Sequence, residues 1–533
     1  MNRILKWNRG QLAAVVFAVA FVLFLPSVRF DFVEYDDQDY VTENAHMKDG
    51  LTVDNVRWAF FNRDYASNWH PLTWMSLMGD VSALKAVGRT GRRDQSRLMH
   101  LHNVCLHAAN ATLLFVLLLM ICGRFRPGPD DGRGDSSDVR VACGVLALLW
   151  AVHPLRVEVV CWVSERKELL SCFFMLIALV FYLCRSRVSC PLSVLSFALA
   201  LLAKPVAVTL PAVVFAWDWI FGGRIRWRMI VPYALLSLGT CVMTMRAQTD
   251  GLNSGRLLDS SDRLMGIFGG PLVYIRQTFW PFDLSALYPN SVSLDIPVFA
   301  LGVLLVVACV AVCLRWLKTR GEVWGIAAFG VAWAYVGLIP MLGIVKVGTQ
   351  EHSDRYTYWV GCGVCAVLAM LYARFSEKLR KFAESQKLPQ GGIVCSLLVL
   401  VGVLCVASFM REQCWRNSIV LFRDTVSKCW DGETAGALAT QLLKRGSEGE
   451  REAEWWLRAC VRNNKTPQTL AELAGFLLYK PVDAQYYRNF GGNPFAESED
   501  LVLTALSADP KNKRALRVQE LIKERKAKLE KEK

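Results

Sequence analysis

The sequence predicts an all-α polytopic membrane protein: a bundle of about eleven transmembrane helices followed by a soluble α-helical region. Three observations carry this reading. The 533-residue chain is 53% hydrophobic with a mean hydropathy of +0.28, too apolar for an ordinary soluble protein. Apolar runs recur along it, each close to the roughly 20 residues a helix needs to cross a bilayer. The ten-residue alternating strands of a membrane β-barrel are missing.

The elements follow in order. Arg3, Lys6 and Arg9 place the N-terminus in the cytoplasm. The first apolar run resembles a signal peptide, but no small-x-small cleavage site follows Leu25. It is therefore expected to stay as span 11–28. Residues 29–98 form an aromatic-rich outer loop. Span 101–122 ends at the inner loop GRFRPGPDDGRGDSSD. Spans 140–160 and 169–184 flank the outer turn HPLRVEVVCWVSERKE. Two short runs, 190–203 and 205–221, read as a hairpin broken at Lys204-Pro205, a pair expected to serve packing or the helix break. Span 229–245 follows. The stretch 264–282 reads as interfacial or re-entrant, because the basic LRWLKTR after run 295–314 belongs in the cytoplasm. Runs 322–343, 355–373 and 391–409 complete the bundle.

An odd number of crossings puts the C-terminal domain, 411–533, on the outer side of a membrane domain spanning 1–410. AEWWLRACVRNN and ESEDLVLTALSADPKNKRALR show helical spacing of apolar residues. The second ends like a tetratricopeptide unit, although no clean repeat period covers the region.

Composition also excludes. The formal charge of +14 sits largely in short loops between apolar runs and in 511–533, so no nucleic-acid partner is expected. Among the 17 Cys, Cys105, Cys143, Cys172, Cys309, Cys362 and Cys395 lie in apolar runs as small hydrophobes.

The polar motifs gather on one side. EYDDQDY follows the first span and carries Asp36, Asp37 and Asp39. NWHPLTW carries Trp69, His70 and Trp74, and MHLHNVCLH places His100, Asn103 and His107 on one helix face. The outer turn adds His153, Arg156, Glu158, Glu165, Arg166 and Lys167. KVGTQEHSDRYTY adds Lys346, Glu351, His352, Asp354 and Arg355. Singly, such residues are interfacial anchors or loop ion pairs, and Trp69, Trp74, Trp162 and Tyr356 would serve as an aromatic belt. Together they describe a polar cavity facing outward, for the inner loops have no matching clusters.

These motifs are familiar as a set. YDD, NWHPLTW, H-x-x-N-x-x-x-H, HPL-x-VE-x-V-x-WV-x-ERKE, LLAKP-x-x-VTLP, WP-x-DL-x-x-x-YP and DRYTY occur in that order. Over roughly 30–425 the chain resembles bacterial relatives of the transmembrane and tetratricopeptide-repeat O-mannosyltransferases, in the GT-C glycosyltransferase superfamily. The resemblance implies a GT-C-like bundle in a bacterial inner membrane. It also implies a sugar donor carried on a polyprenyl phosphate and a carboxylate base in the first outer loop. The transferred sugar would be a hexose, with mannose the first expectation. The acceptor would be a protein Ser or Thr, a glycan or a lipid hydroxyl, held by the C-terminal helices.

On this basis Asp36 is the expected base. Asp37 would orient the acceptor or hold a metal if a divalent cation is used, and no other cofactor is expected. The two charges are close enough to raise one another's pKa, and a capping or loop role for one of them stays open. Arg166 and Arg355, at outer span ends, are the expected donor-phosphate ligands, followed by Lys167 and His100. His70, Trp69, Asn103, His107, Glu158 and Asp354 would line the acceptor or sugar site. The chain departs from the family pattern at Glu168 (ERKE for ERKD), at LMHLHN and in its short repeat region. The rival readings are an inactive membrane-anchored scaffold and a lipid or solute transporter. A transporter would carry ionisable residues at mid-membrane and a repeated half.

Overall fold

The computed structural model describes residues 7–62, 65–125, 137–184, 186–247, 264–288, 295–342, 352–386, 392–480 and 493–531. The inner loop 126–136 and the motif residues Lys346 and Glu351 lie outside them. Among the described residues every regular element is helical. The main helices are α1 (Arg9–Phe24), α2 (Pro71–Ala86), α3 (Arg92–Phe125), α4 (Ser137–Ala151), α5 (Arg166–Cys184) and α6 (Ser189–Ala203). They continue as α7 (Leu210–Trp217), α8 (Trp227–Ala247), α9 (Gly270–Phe279), α10 (Ile296–Thr319), α11 (Glu322–Leu338), α12 (Thr357–Ser385) and α13 (Gly392–Glu412).

Within the described residues all eleven predicted runs are helical, and most have the length of a span. Nine described helices are long and apolar enough to span a bilayer. A tenth crossing would be the pair Ser137–Ala151 and Pro154–Cys161, bent by 60°. Helix α6 has 15 residues, about 22 Å of rise, short of the roughly 30 Å hydrocarbon core. Proline makes both interruptions, at Pro154 and Pro205, where the missing N–H and fixed φ start new turns. By length and composition nine or ten of the described helices qualify as spans. Yet the chain leaves α5 at Tyr182 beside Asp218 and Arg226 and returns through α6 to Lys204 beside Glu165 and Glu168. Helix α6 therefore also runs from one end of the bundle to the other, and the expected count of about eleven is not overturned. Helix α9 has only 10 residues, too few to cross.

Geometry agrees with an odd number of traverses. The Asp31 N–H, just past the first span, donates to the Arg416 carbonyl (3.0 Å). Trp162 packs on Trp415 with ring centroids 5.6 Å apart. The last span therefore leaves the bundle at the end opposite the N-terminus.

The core lies where α1, α3, α4, α5, α7, α11 and α12 meet, around Leu12, Leu114, Phe115, Leu148, Met175, Val213, Phe329 and Met370. A Cβ on Gly363 would fall 2.6 Å from the Trp333 ring, so only glycine lets α12 approach α11 there. Leu301, Leu304, Val307, Val310 and Leu314 of α10, with Val399, Val403, Val406 and Met410 of α13, are exposed. Continuous apolar faces of this kind suit lipid as solvent.

The first outer loop is folded. Tyr40 stacks on Trp74 at 4.5 Å, and Trp58 and Tyr65 meet the same indole edge-on. Thr73 Oγ1 fastens α2 to the Ala203 carbonyl (3.0 Å).

A second compact unit comprises 417–533 with 285–289. Its helices are α14 (Ser418–Cys429), α15 (Gly432–Leu443), α16 (Ser447–Asn463), α17 (Pro467–Leu478), α18 (Pro494–Ala508) and α19 (Lys513–Lys531). Asn417, Asp431, Thr466 and Asn493 cap four of them with side-chain oxygens. Helix α15 packs on α16, and α17 on α18.

Candidate active site

The site starts in the turn after the first span. Adjacent residues point apart, and the two aspartates part company accordingly. Asp37 is 1% exposed. Its Oδ2 accepts from the Val33 N–H (2.9 Å), and its Oδ1 accepts from the Ser164 N–H (3.0 Å) and Oγ (2.5 Å). Burial pushes its carboxyl up to about 6 against the pull of these donors. Asp37 is thus a clamp between the first outer loop and the turn before α5. Buried with both oxygens engaged, it cannot take the acceptor or metal role expected of it.

Asp36 turns the other way. Its side chain is 42% exposed and its Oδ2 lies 3.7 Å from Lys167 Nζ. Surrounding protein raises its pKa, and the Lys167 and Arg355 charges oppose that rise.

A chain of alternating charge runs inward from Asp36. Lys167 Nζ reaches Glu165 Oε1 (3.2 Å), and Lys204 bridges Glu165 (3.2 Å) and Glu168 (2.7 Å). Arg355 meets Glu165 (3.6 Å) and Glu158 (2.5 Å), and its N–H donates to Glu158 Oε2 (3.1 Å). Glu165 is the hub, contacting three cations while 1% exposed on its side chain. Lys167 and Arg355 both lie 5.5 Å from the centre of the buried Trp162 ring, and Lys167 also covers Tyr40 at 4.6 Å. Lys167, Lys204 and Arg355 keep 9–13% of their side chains exposed.

Arg166 stands elsewhere. One residue is about 100° of helical turn, so α5 sends Lys167 into the network and Arg166 away from it. Arg166 is 1% exposed and its donors are used. It donates to Asn103 Oδ1, Ser76 Oγ (3.0 Å), Asp80 Oδ2 (3.1 Å) and the Met99 carbonyl (2.7 Å). This corrects its expected phosphate role: it is the pin that joins α2, α3 and α5.

Asn103, by donating to the Trp162 carbonyl (3.0 Å), belongs to the same pin. His107 bonds Tyr358 Oη (2.8 Å) and the Ala151 carbonyl (3.0 Å). His100 is buried edge-on against Phe30. Asp354 is buried in the turn that starts α12. Trp69 Nε1 donates to the Phe60 carbonyl (3.0 Å). Asn103, His107, His100 and Asp354 are buried in the scaffold and hold supporting positions, while Trp69 is half-buried. His70, buried at the start of α2, faces Lys167, Lys204 and Glu165. Burial and the two ammonium charges hold its imidazole neutral, well below the ordinary histidine range.

Lys204, Glu165 and the Trp162 plate were missed as site members. Lys204 looked like a helix breaker because Pro205 follows it; the break also swings its ammonium into the network. Among the described residues no group of three or more His, Cys, Asp or Glu converges as metal ligands do. With Asp37 engaged, the residues present do not fit a divalent cation, and none enters the chemistry below.

Fold and site together define a polytopic all-α membrane protein with a largely buried charge network at one end of its bundle. No protein-family model matches the chain. The sequence is 22% identical over 486 residues to mouse (Mus musculus) protein O-mannosyl-transferase TMTC4, covering 78% of this chain and 61% of the relative. The two are distantly related, and the chain spans about three fifths of that relative's length.

Proposed function

We propose that the protein is an inverting membrane glycosyltransferase of the GT-C kind. It moves a hexose, mannose first, from a polyprenyl phosphate to a hydroxyl acceptor on the extracytoplasmic face of a bacterial inner membrane. Asp36 carries the reading: it is an accessible carboxylate with a raised pKa, beside a lysine–arginine pair at a bundle rim. The distant relation to an O-mannosyl-transferase supports it.

In the proposed step an acceptor oxygen attacks the anomeric carbon of the donor and its proton passes to Asp36. The bond from that carbon to the phosphate oxygen breaks, and the polyprenyl phosphate leaves with the electron pair. Lys167 and Arg355 balance the departing charge. Lys204 and Glu165 hold those cations in place, and neutral His70 offers a hydrogen bond to sugar or phosphate. Residues 1–410 would form the catalytic domain, with 411–533 on the same outer face to hold the acceptor. The ionisable network sits at one end of the bundle, which favours a transferase over a transporter.

The test uses membranes containing wild type, Asp36→Asn or Asp36→Glu, supplied with radiolabelled polyprenyl-phosphate mannose. Label should enter protein, glycan or lipid with wild type and vanish with Asn. Equal labelling with Asn removes the base. No transfer by wild type from any lipid-linked hexose favours the scaffold.

A further inference from the structure

Helix α3 carries a set of charges that the candidate site does not use. It is 34 residues long, about 51 Å, against a hydrocarbon core of about 30 Å. Its apolar run begins near Leu101, so residues 92–100 rise roughly 13 Å beyond that run. This extension lies at the candidate-site end of the bundle. Ser96 Oγ donates to the Phe30 carbonyl (2.6 Å), and the Arg92 guanidinium lies 5.7 Å from the centre of the Phe32 ring.

Arg89, Arg92, Arg93 and Arg97 stand on this extension and the turn before it, all exposed. Asp94 is the one acid between residues 86 and 100. No ion pair joins any of the four arginines to it or to another carboxylate among the described residues. The protein therefore leaves four guanidinium groups without a counterion at a fixed height.

That height identifies the missing partner. The polar headgroup layers add about 5–8 Å on each side of the hydrocarbon. Arg97 stands roughly 6 Å above the apolar run, inside that layer, and Arg92 and Arg93 roughly 12 Å above it, within a Debye length (~8–10 Å) of the phosphates. A guanidinium fork also matches a pair of phosphate oxygens.

We propose that this arginine collar binds the phosphate groups of anionic phospholipids in the leaflet at the candidate-site end. The collar does not touch Asp36, Lys167 or Arg355, so the proposal stands whether or not the chain transfers sugar. A basic side chain at an anionic membrane surface is worth about fivefold in binding.

The full chain would be placed in phosphatidylcholine nanodiscs with and without phosphatidylglycerol. Retained lipid would be counted by mass spectrometry and unfolding followed by temperature. Wild type should retain phosphatidylglycerol in preference to phosphatidylcholine and unfold at a higher temperature with it. Arg93→Gln/Arg97→Gln should lose about 25-fold in that preference, and the variant with all four arginines changed to Gln should lose it entirely. Unfolding in pure phosphatidylcholine should match wild type. The double variant keeps the Arg92 contact with Phe32, so it serves if the fourfold variant does not fold. Undiminished phosphatidylglycerol retention in the double variant would overturn the collar. So would loss of binding only to a soluble polyanion.

Discussion

The spans Val163–Cys184 and Pro205–Gly222 carry charge at both ends, and the two ends are built differently. At one end Asp218 is wholly buried. Arg226 brackets its carboxylate at 2.9–3.1 Å, Tyr182 Oη donates to it (2.8 Å), and the guanidinium covers the Tyr182 ring at 3.7 Å. One acid and one cation close on each other. At the other end three cations are shared by four carboxylates, and Asp36 holds a single longer contact. A saturated pair fixes a turn and has nothing left to offer a ligand. An open chain of charge leaves an unsatisfied carboxylate and cations that can rebalance toward an incoming anion.

The sharpest way to break this contrast is to neutralise one acid at each end. Asp36→Asn should lower transfer about 10²–10⁴-fold and leave thermal unfolding unchanged. Asp218→Asn should do the reverse, losing about 2–3 kcal/mol of stability with an unchanged rate per folded molecule. Rates and unfolding measured on the same preparations decide it; swapped phenotypes would end the distinction.

Next comes the neighbouring pair. Arg166→Ala leaves the buried Asp80 carboxylate with His102 alone and should destabilise by about 3–5 kcal/mol. Lys167→Met should raise the donor KM about 10–100-fold with little change in stability. Donor titrations on folded fractions compare them.

A subtler effect is on pH. A base must be ionised, and the Asp36 pKa is raised. Activity should therefore fall, as pH drops, through a midpoint above the ordinary carboxylate range. Lys167 opposes that rise, so Lys167→Met should move the acid limb of kcat/KM to still higher pH. An unmoved limb would mean that another group titrates.

The smallest expected effect is at Lys204, whose removal leaves Glu165 with Lys167 and Arg355. Lys204→Gln should raise the donor KM about 3–10-fold. No change would make the lysine a packing residue.

Much of the bundle was legible in the sequence because bilayer thickness sets the length of an apolar run. Its irregularities were less so: the bend at Pro154 and the short helix before Pro205 look like ordinary spans in hydropathy. Asp36, Lys167, Arg355 and Glu158 were legible as polar residues at span ends, and the structure brings them together. Which of Arg166 and Lys167 joins the charge network was not legible. It depends on the rotation of α5, which the packing against α2 and α3 sets. Asp37 could not be told from Asp36 for a similar reason, since its anchor, Ser164, lies 127 residues away. The Lys204 signal was present as a lysine beside an apolar run, and the adjoining proline drew the simpler reading.

The Glu158–Arg355 contact spans 197 residues. Synthesis at 5–20 residues per second leaves Glu158 in the nascent chain for roughly 10–40 s before its cation is made. Throughout that interval Glu165 also lacks at least one of its three partners. The rim of the half-made bundle therefore carries uncompensated acid until α12 begins, and a chain cut short before Arg355 keeps it.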